Sequence, residues 1–186
     1  MLIVALAVPL CLYVAGCSAL GGGSSGGGAE QNGVRLPKGH PTNVDLSFDH
    51  PAPGDRVIQM EVNFAKRDKA QFDELMRAIQ DPKSPEYHHW LTPQEIHARF
   101  GETQSQFDAV EQWLVSQGFT IISKGYGTNS DYIAFKGTIK QAENAFNVEI
   151  VAPEYDLYAN KQDPMIPAQF AGVISYVTGL NDIEGL

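Results

Sequence analysis

Two periodicities of apolar residues organise the chain from Gly54 onward. The first segment alternates apolar and polar positions, which is the period of a half-buried strand. Its apolar positions are Ile58, Met60, Val62 and Phe64. The next segment places apolar residues at i, i+3, i+4 and i+7, the spacing of one helix face. These residues are Phe72, Leu75, Met76 and Ile79. Asp68 is the expected N-cap of this helix, which must end before Pro82.

The same two periods continue into the C-terminal part of the chain. The predicted elements are a helix over Thr103–Gln117, strands over Phe119–Ser123 and Asp131–Lys136, a helix capped by Gly137-Thr138, and strands starting at Val148 and Val173. The order strand, helices, strand, strand, helix, strand is the split βαβ pattern of a ferredoxin-like α+β sandwich. We therefore predict an antiparallel sheet with helices packed on one face, and an extra helical insertion after the first helix.

The stretch from Asp81 to Gly101 contains two helix starts side by side. Ser84-Pro85 and Thr92-Pro93 each place a hydroxyl N-cap before a proline at the first helical position. Glu95 adds the third residue of a capping box, and the glycine is the expected end of the second helix. Four consecutive ring side chains, Tyr87–Trp90, lie between the starts. This pattern predicts two short helices joined at a buried aromatic corner.

Both tryptophans are interpreted as core or corner aromatics, with a partner contact as the alternative for Trp90. The stretch around Trp90 resembles the N-terminal activation domain (propeptide) of the sedolisin, or kumamolisin-type, serine-carboxyl peptidases. Its matches are Asp81, Pro82, Ser84, Pro85, Tyr87, Trp90, Leu91, Thr92, Pro93, Glu95, Ile96 and Phe100. Further matches follow in order: Trp113, Leu114, Gly118, Phe119, Phe135, Lys136, Gly137, Thr138, Ala142, Ala145, Phe146, Tyr158, Ala159, Asn160, Ile166, Pro167, Val177, Thr178, Gly179 and Leu180.

The resemblance covers residues 54–180, which we assign to the activation domain, and residues 181–186 would begin a linker or tail. It implies a ferredoxin-like fold, in agreement with the periodicity. It also implies a module that assists folding of a peptidase catalytic domain and blocks its cleft until activation. That partner would follow on the same chain or be made separately. Because such peptidases work in acid, carboxylates that pair with the enzyme and are protonated as the pH falls are a plausible trigger.

The chemistry of a complete enzyme is missing from the sequence. A serine nucleophile needs a base and an oxyanion hole, and neither a Gly-x-Ser-x-Gly motif nor the family's Ser-Gly-Thr-Ser motif is present. Gly127–Ser130 does not match the latter. His88, His89 and His97 do not form a metal site, because neighbouring helical residues point about 100° apart. Gly125–Gly127 is too short for a phosphate loop. We expect no catalytic residue, cofactor or metal.

Charge narrows the choice of partners. The chain of 186 residues has 22 acidic and 13 basic residues and a net charge of −9. Nucleic acid is excluded as a partner, since phosphate binding requires a basic face. The two cysteines, Cys11 and Cys17, both precede the predicted domain and cannot cross-link it.

The N-terminal residues resemble a bacterial lipoprotein signal. An apolar run ends in Val14-Ala15-Gly16-Cys17, which is similar to a lipobox, although no Lys or Arg precedes the run. We predict a signal peptide over residues 1–16, lipidation at Cys17, and a flexible tether over residues 17–53 that includes Gly21–Gly28. An ordinary signal peptide is the alternative. The expected location is the cell envelope, as an outer-membrane lipoprotein, or the extracellular space. A lipid-anchored binding module without a peptidase partner is the alternative function.

Overall fold

The computed structural model describes residues 33–42, 45–46, 50–153 and 157–183. The predicted signal peptide, Cys17 and Gly21–Gly28 lie outside the described residues. The strands are β1 (Gly33–Arg35), β2 (His50–Pro51), β3 (Val57–Phe64), β4 (Thr120–Gly125), β5 (Tyr132–Thr138), β6 (Ile150–Ala152), β7 (Ala159–Asn160), β8 (Met165–Pro167) and β9 (Ile174–Thr178). The helices are α1 (Lys69–Ala78), α2 (Pro93–Phe100), α3 (Gln104–Ser116) and α4 (Ile139–Phe146).

A four-stranded sheet in the order β4-β5-β3-β9 forms the centre of the domain. Every neighbouring pair is antiparallel, with Met60 opposite Phe135 and Val62 opposite both Ile133 and Val177. This order, with β3 and β5 in the middle, is that of a ferredoxin-like sheet. The predicted α+β class is therefore confirmed. Two small sheets, β1-β8 and β2-β6-β7, add to the central one.

The helices that cover the sheet are α3 and α4. Phe107, Val110 and Leu114 of α3 are buried in the same cluster as Phe135 and the inward side chains of α4. The other two helices pack in a separate small cluster, formed by Leu75, Ile79 and Phe100. The helical insertion is thus α1 with α2 and precedes the core helix, whereas the sequence placed it after the first helix. The reason is burial, since α1 buries only one side chain and cannot form the core layer.

The predicted helix caps at Asp68, Thr92 and Gly101 are confirmed. Asp68 Oδ1 accepts a hydrogen bond from the backbone N–H of Gln71 at 2.9 Å and starts α1. Thr92 and Glu95 form the capping box of α2, and Gly101 is its C-cap. Because each cap satisfies backbone N–H groups that the first turn leaves unpaired, these starts are determined locally.

The helix predicted at Ser84-Pro85 is wrong. The chain makes consecutive turns there, and Ser84 Oγ accepts a hydrogen bond from the N–H of Glu86 at 3.1 Å. That bond spans two residues and closes a tight turn, rather than capping a helix. His88 then takes a left-handed conformation with φ 61°, which a continuing helix does not allow.

The C-terminal part of the predicted tether belongs to the domain. β1 pairs with β8, β2 pairs with β6, and Leu36 and Ala52 are buried. The domain therefore includes residues from Gly33 onward, earlier than Gly54. Strands of two or three residues are held by backbone bonds, so they leave no apolar period in the sequence. Within the described residues, no helix has the length and apolarity needed to cross a membrane.

Candidate functional site

Residues 84–91 form a loop, here called the aromatic loop, that carries ring side chains at the surface. The side chain of Trp90 is 68% exposed and that of Tyr87 is 37% exposed. The predicted buried corner is therefore wrong, and so is the interpretation of Trp90 as a core residue. Only Leu91 at the end of the loop packs against the small cluster of α1 and α2.

The rings of the aromatic loop stack on one another. The centroids of Tyr87 and His88 lie 3.8 Å apart with an interplanar angle of 23°. Those of His88 and Trp90 lie 6.1 Å apart at 21°. His88 is the middle ring, and its backbone has a left-handed conformation. The result is a continuous surface of three rings.

Backbone hydrogen bonds fix the aromatic loop at both ends. The N–H of Ser84 donates to Asp81 O at 2.9 Å, and the N–H of His88 donates to Ile79 O at 3.0 Å. At the far end, the N–H of Thr92 donates to Glu95 Oε2 at 2.8 Å. This backbone bond is the main reason that the pKa of the Glu95 carboxyl is lowered. The loop therefore presents its rings in a defined arrangement.

The residues that match the activation-domain family are here called signature residues. Those outside the Asp81–Phe100 stretch lie in the sandwich and pack with one another. The ring of Trp113 lies 5.7 Å from that of Phe146 and 5.5 Å from that of Phe170. The ring of Phe119 lies 4.9 Å from that of Phe135. Trp113 packs against the main core as predicted. Gly118 follows α3, Pro167 ends β8 opposite Gly33, and Leu180 is buried.

Two signature glycines are required by close contacts. A Cβ atom at Gly137 would lie 2.4 Å from a ring carbon of Phe119. At Gly179 it would lie 2.1 Å from the carbonyl oxygen of Gln59, and the backbone there has φ +81°. Both positions therefore exclude any side chain, and their role is structural.

A buried polar junction connects α2 to the β4–β5 loop. His97 Nδ1 lies 2.8 Å from Asp131 Oδ2, and the Asp131 side chain is 3% exposed. Asp131 Oδ1 accepts a bond from the N–H of Thr128 at 3.0 Å. The ring of Tyr126 packs edge-on against His97, and its hydroxyl donates to Glu102 O at 3.3 Å. The sequence analysis missed this junction, because His97 and Asp131 are 34 residues apart.

Glu102 is the group of this junction that lacks a hydrogen bond to one of its carboxylate oxygens. Its Oε2 is buried and has no hydrogen-bond partner among the described residues. Burial raises the pKa of its carboxyl, and the charge of Asp131 adds to this, whereas Arg67 opposes it. Burial also lowers the pKa of Lys66, which lies across the same junction and donates to Asn129 O.

The side chains of the three histidines in the Asp81–Gly101 stretch do not come together at one site. His88 and His89 belong to the aromatic loop, and His97 pairs with Asp131. In the part of the chain that the structure describes, no three His, Cys, Asp or Glu side chains cluster closely enough to hold a metal ion.

Comparison with known proteins shows which family the chain belongs to. Residues 45–183 match the family described as "Pro-kumamolisin, activation domain". The chain belongs to this family. It is 30% identical over 142 residues to xanthomonalisin of Xanthomonas sp. (strain T-22), a match that covers 75% of this chain and 16% of the relative.

Two further relatives support the same family. Sedolisin of Pseudomonas sp. (strain 101) is 27% identical over 127 residues, covering 66% of this chain and 21% of the relative. Tripeptidyl-peptidase sed1 of Aspergillus fumigatus is 22% identical, covering 70% of this chain and 21% of the relative. The chain thus spans about a fifth or less of these relatives, and it matches an activation domain, not a catalytic domain.

Proposed function

We propose that this protein is a propeptide-type module that binds a sedolisin-like catalytic domain, assists its folding and blocks its cleft until activation. The family match over residues 45–183 supports the type of partner. The single observation that carries a binding role is the exposure of Trp90 inside the family-signature stretch. A tryptophan side chain that is mostly in solvent adds little to the stability of the fold, so we infer that its role is to contact a partner protein.

The physical properties of the aromatic loop suit a protein interface. Tryptophan and tyrosine dominate the binding energy of many interfaces, because they bury large areas with few rotatable bonds. The loop is already fixed by hydrogen bonds to Ile79, Asp81 and Glu95, which reduces the entropy lost on binding. An interface of ordinary size, about 1,600 Å², would also recruit surface beyond the loop.

Binding to a sedolisin-type catalytic domain tests this function directly. We expect the full chain to inhibit such a domain, and Trp90→Ala to weaken the affinity at least about tenfold, as for an interface hot spot. Val115→Ala is the matched control, because Val115 is also exposed and apolar but lies on α3. If Trp90→Ala leaves the inhibition constant unchanged, the aromatic loop is not the contact.

Two arrangements of the partner fit this function. The catalytic domain follows residue 186 in a longer chain, or it is a separate protein that is bound in trans. Reading the coding sequence past Leu186 separates the two: a linker with a Ser-Gly-Thr-Ser motif supports the first and a stop codon the second. If the domain binds no peptidase and leaves sedolisin-type proteolysis unchanged, the alternative of a lipid-anchored envelope-binding module is favoured.

Acid release is part of the proposed function. Carboxylates that pair with the catalytic domain have lowered pKa values in the complex. The affinity they add is present at neutral pH and is lost as the pH falls through those lowered values. We expect the affinity to fall between about pH 7 and pH 3, over which carboxylates become protonated. A flat or rising affinity on acidification would exclude this trigger.

The N-terminal residues suggest export and an anchor at the membrane. We propose that residues 1–16 are a signal peptide and that Cys17 is acylated, and Gly21–Gly28 has the composition of a linker. Two or three acyl chains anchor a protein durably, whereas one chain is marginal. Palmitate labelling tests this: wild type should incorporate label and enter the membrane fraction, and Cys17→Ser should do neither. Labelling of the serine variant would refute the assignment.

A further inference from the structure

The N-terminal segment of the described domain, Gly33–Thr42, lies along β8 and buries little apolar surface. Leu36 is its one buried side chain, and Val34 is 41% exposed. Three residue pairs join β1 to β8, and the N–H of Leu36 extends this ladder by donating to Pro164 O at 2.9 Å. A two-stranded ladder of this length is only marginally stable by itself. Polar contacts must therefore decide whether the segment stays attached.

Those polar contacts converge on one carboxylate, that of Asp163, which lies between β7 and β8. The N–H of Gly39 donates to Asp163 Oδ1 at 2.7 Å, and His40 Nδ1 lies 2.7 Å from the same oxygen. The backbone N–H of Lys38 also bonds to this carboxylate. Pro37 and Lys38 form a turn in which Lys38 has φ 64°, and successive N–H groups in such a turn form a concave anion site. The segment thus wraps around a charge that belongs to a distant part of the chain.

These hydrogen bonds favour the charged form of Asp163. The bond from His40 is the largest cause of the lowered pKa of the Asp163 carboxyl. Burial opposes it, and the N–H groups of Gly39 and Lys38 and the charge of His40 add to it. Because the folded-state pKa lies below the ordinary value of 3.8, the stabilisation that the carboxylate gives is complete above that value. It is lost as the pH falls through the lowered value.

The other charged groups around Asp163 in the described residues are cations of the same segment or form a pair of their own. Those of the segment are Arg35, whose guanidinium donates to the main-chain oxygen of Asp163, and Lys38. On the β6–β8 side, Lys161 pairs with Glu149 at 3.4 Å. No Asp or Glu is among the described residues that line the groove between the segment and β9. The segment itself contains no Asp or Glu, so protonation of Asp163 removes the negative charge from this contact.

We propose that the N-terminal segment is held by an acid-sensitive contact: at neutral pH the Asp163 carboxylate fixes it to β8, and in acid the segment detaches while the sandwich stays folded. Detachment takes Leu36 out of the main core cluster and leaves β8 unpaired, because β8 pairs with β1 alone among the described strands. It also frees the chain up to β2, so that Gly33 no longer marks a fixed point of entry into the domain. This switch requires neither the aromatic loop nor a bound catalytic domain.

Hydrogen exchange of the full chain, expressed as protection factors, tests this proposal. Protection factors remove the chemical dependence of exchange on pH, so a change in them reports local opening. As the pH is lowered from about 7 to about 2, we expect the Leu36 amide to lose protection at least about tenfold, the factor that one charge-assisted hydrogen bond contributes. This loss should occur at a higher pH than any loss at Val62 and Phe135 in the central sheet. Loss at all three amides together, or none at Leu36, would overturn the proposal.

Asp163→Asn imitates the protonated carboxyl at neutral pH, because the amide keeps the shape and an acceptor oxygen but not the charge. In this variant we expect Leu36 to lack at pH 7 the protection that it loses in acid in wild type, with no further step as the pH falls. Asp73→Asn is the matched control, since Asp73 is an exposed carboxylate on α1 that pairs with Lys69. If Leu36 is as protected in Asp163→Asn as in wild type at pH 7, the carboxylate does not hold the segment.

His40→Ala separates titration of Asp163 from a general loosening of the segment. The substitution removes the largest cause of the lowered pKa of Asp163, so the carboxyl should take up its proton at a higher pH. We therefore expect the pH midpoint of detachment to rise towards the ordinary value of 3.8. His50→Ala is the control, because His50 is an exposed histidine on β2. A midpoint that His40→Ala leaves unchanged or lowers would show that Asp163 is not the group that titrates.

Discussion

The sandwich and the helical insertion differ in how they use the residues that define the family. In the sandwich, signature residues such as Phe119, Gly137 and Phe146 lie within one continuous core. The insertion has three buried apolar side chains of its own, yet it carries the longest run of signature residues. Several of these, Trp90 above all, lie at the surface. The signature residues of the sandwich thus pack the core. Those of the insertion form a loop with exposed ring side chains.

Truncation in the main core should produce the largest loss of stability. Phe135 is fully buried and its ring contacts those of Phe119 and Phe146. We expect Phe135→Ala to lower the free energy of unfolding by about 3–5 kcal/mol, from lost burial and the cavity left behind. Urea denaturation followed by circular dichroism measures this. A loss below about 1 kcal/mol would mean that the sandwich is not the part that holds the domain together.

The equivalent phenylalanine-to-alanine substitution in the insertion should lower the free energy of unfolding by less, and its effect should be local. Phe100 closes the small cluster, and its ring packs edge-on against that of Phe72 at 5.3 Å. We expect Phe100→Ala to cost about 2–3 kcal/mol, below the usual range for phenylalanine, because so small a cluster can partly collapse. Hydrogen exchange should show lost protection in α1 and α2 and retained protection in β3 and β5. Equal loss in both regions would show that they unfold as one unit.

The contrast also shows what the sequence can predict. The alternating apolar residues in β3, the capping box at Thr92, the helix cap at Thr138 and the glycine stop at Gly101 depend on neighbours in the chain, so they were predicted. The order of the strands within the sheet then followed from the order of strands and helices along the chain.

Features that depend on distant residues or on backbone pairing were not predictable. β1 and β2 are held by ladders with β8 and β6, and the His97–Asp131 pair joins residues 34 positions apart. The exposure of Trp90 was missed for another reason. Apolar rings are usually buried, so the sequence favoured a buried corner over the exposed rings that the structure shows.

Glu102, at the boundary between the two regions, should give a modest dependence of stability on pH. Its folded-state pKa is raised by burial, so the folded protein holds its proton at pH values where the unfolded chain has lost it. Its contribution is therefore complete below the unfolded pKa and is lost as the pH rises through the raised folded pKa. Asp131 strengthens this effect, and Arg67 weakens it.

Glu102→Gln removes that titration. We expect the urea midpoint of the variant to rise less than that of wild type when the pH is lowered from about 7 towards 5, since the carboxyl is no longer there to take up a proton. Glu149→Gln is the control, because Glu149 lies exposed on another part of the domain. Parallel pH profiles for wild type and Glu102→Gln would show that the buried carboxyl does not titrate in this range. The expected sign also means that Glu102 does not promote unfolding in mild acid, so acid release has to arise at the interface.

Trp90→Ala should have the smallest effect on stability, although it deletes the largest side chain. Most of the ring is in solvent, so its removal leaves no cavity, and we expect a change within about 0.5 kcal/mol, as for other surface substitutions. Leu91→Ala is the matched control one residue away, because Leu91 packs against the small cluster and should cost about 1–2 kcal/mol. Urea denaturation of both variants measures the difference. A loss of about 3 kcal/mol for Trp90→Ala would mean that the ring is buried in solution. The insertion would then maintain packing as the sandwich does, and the contrast between the two regions would disappear.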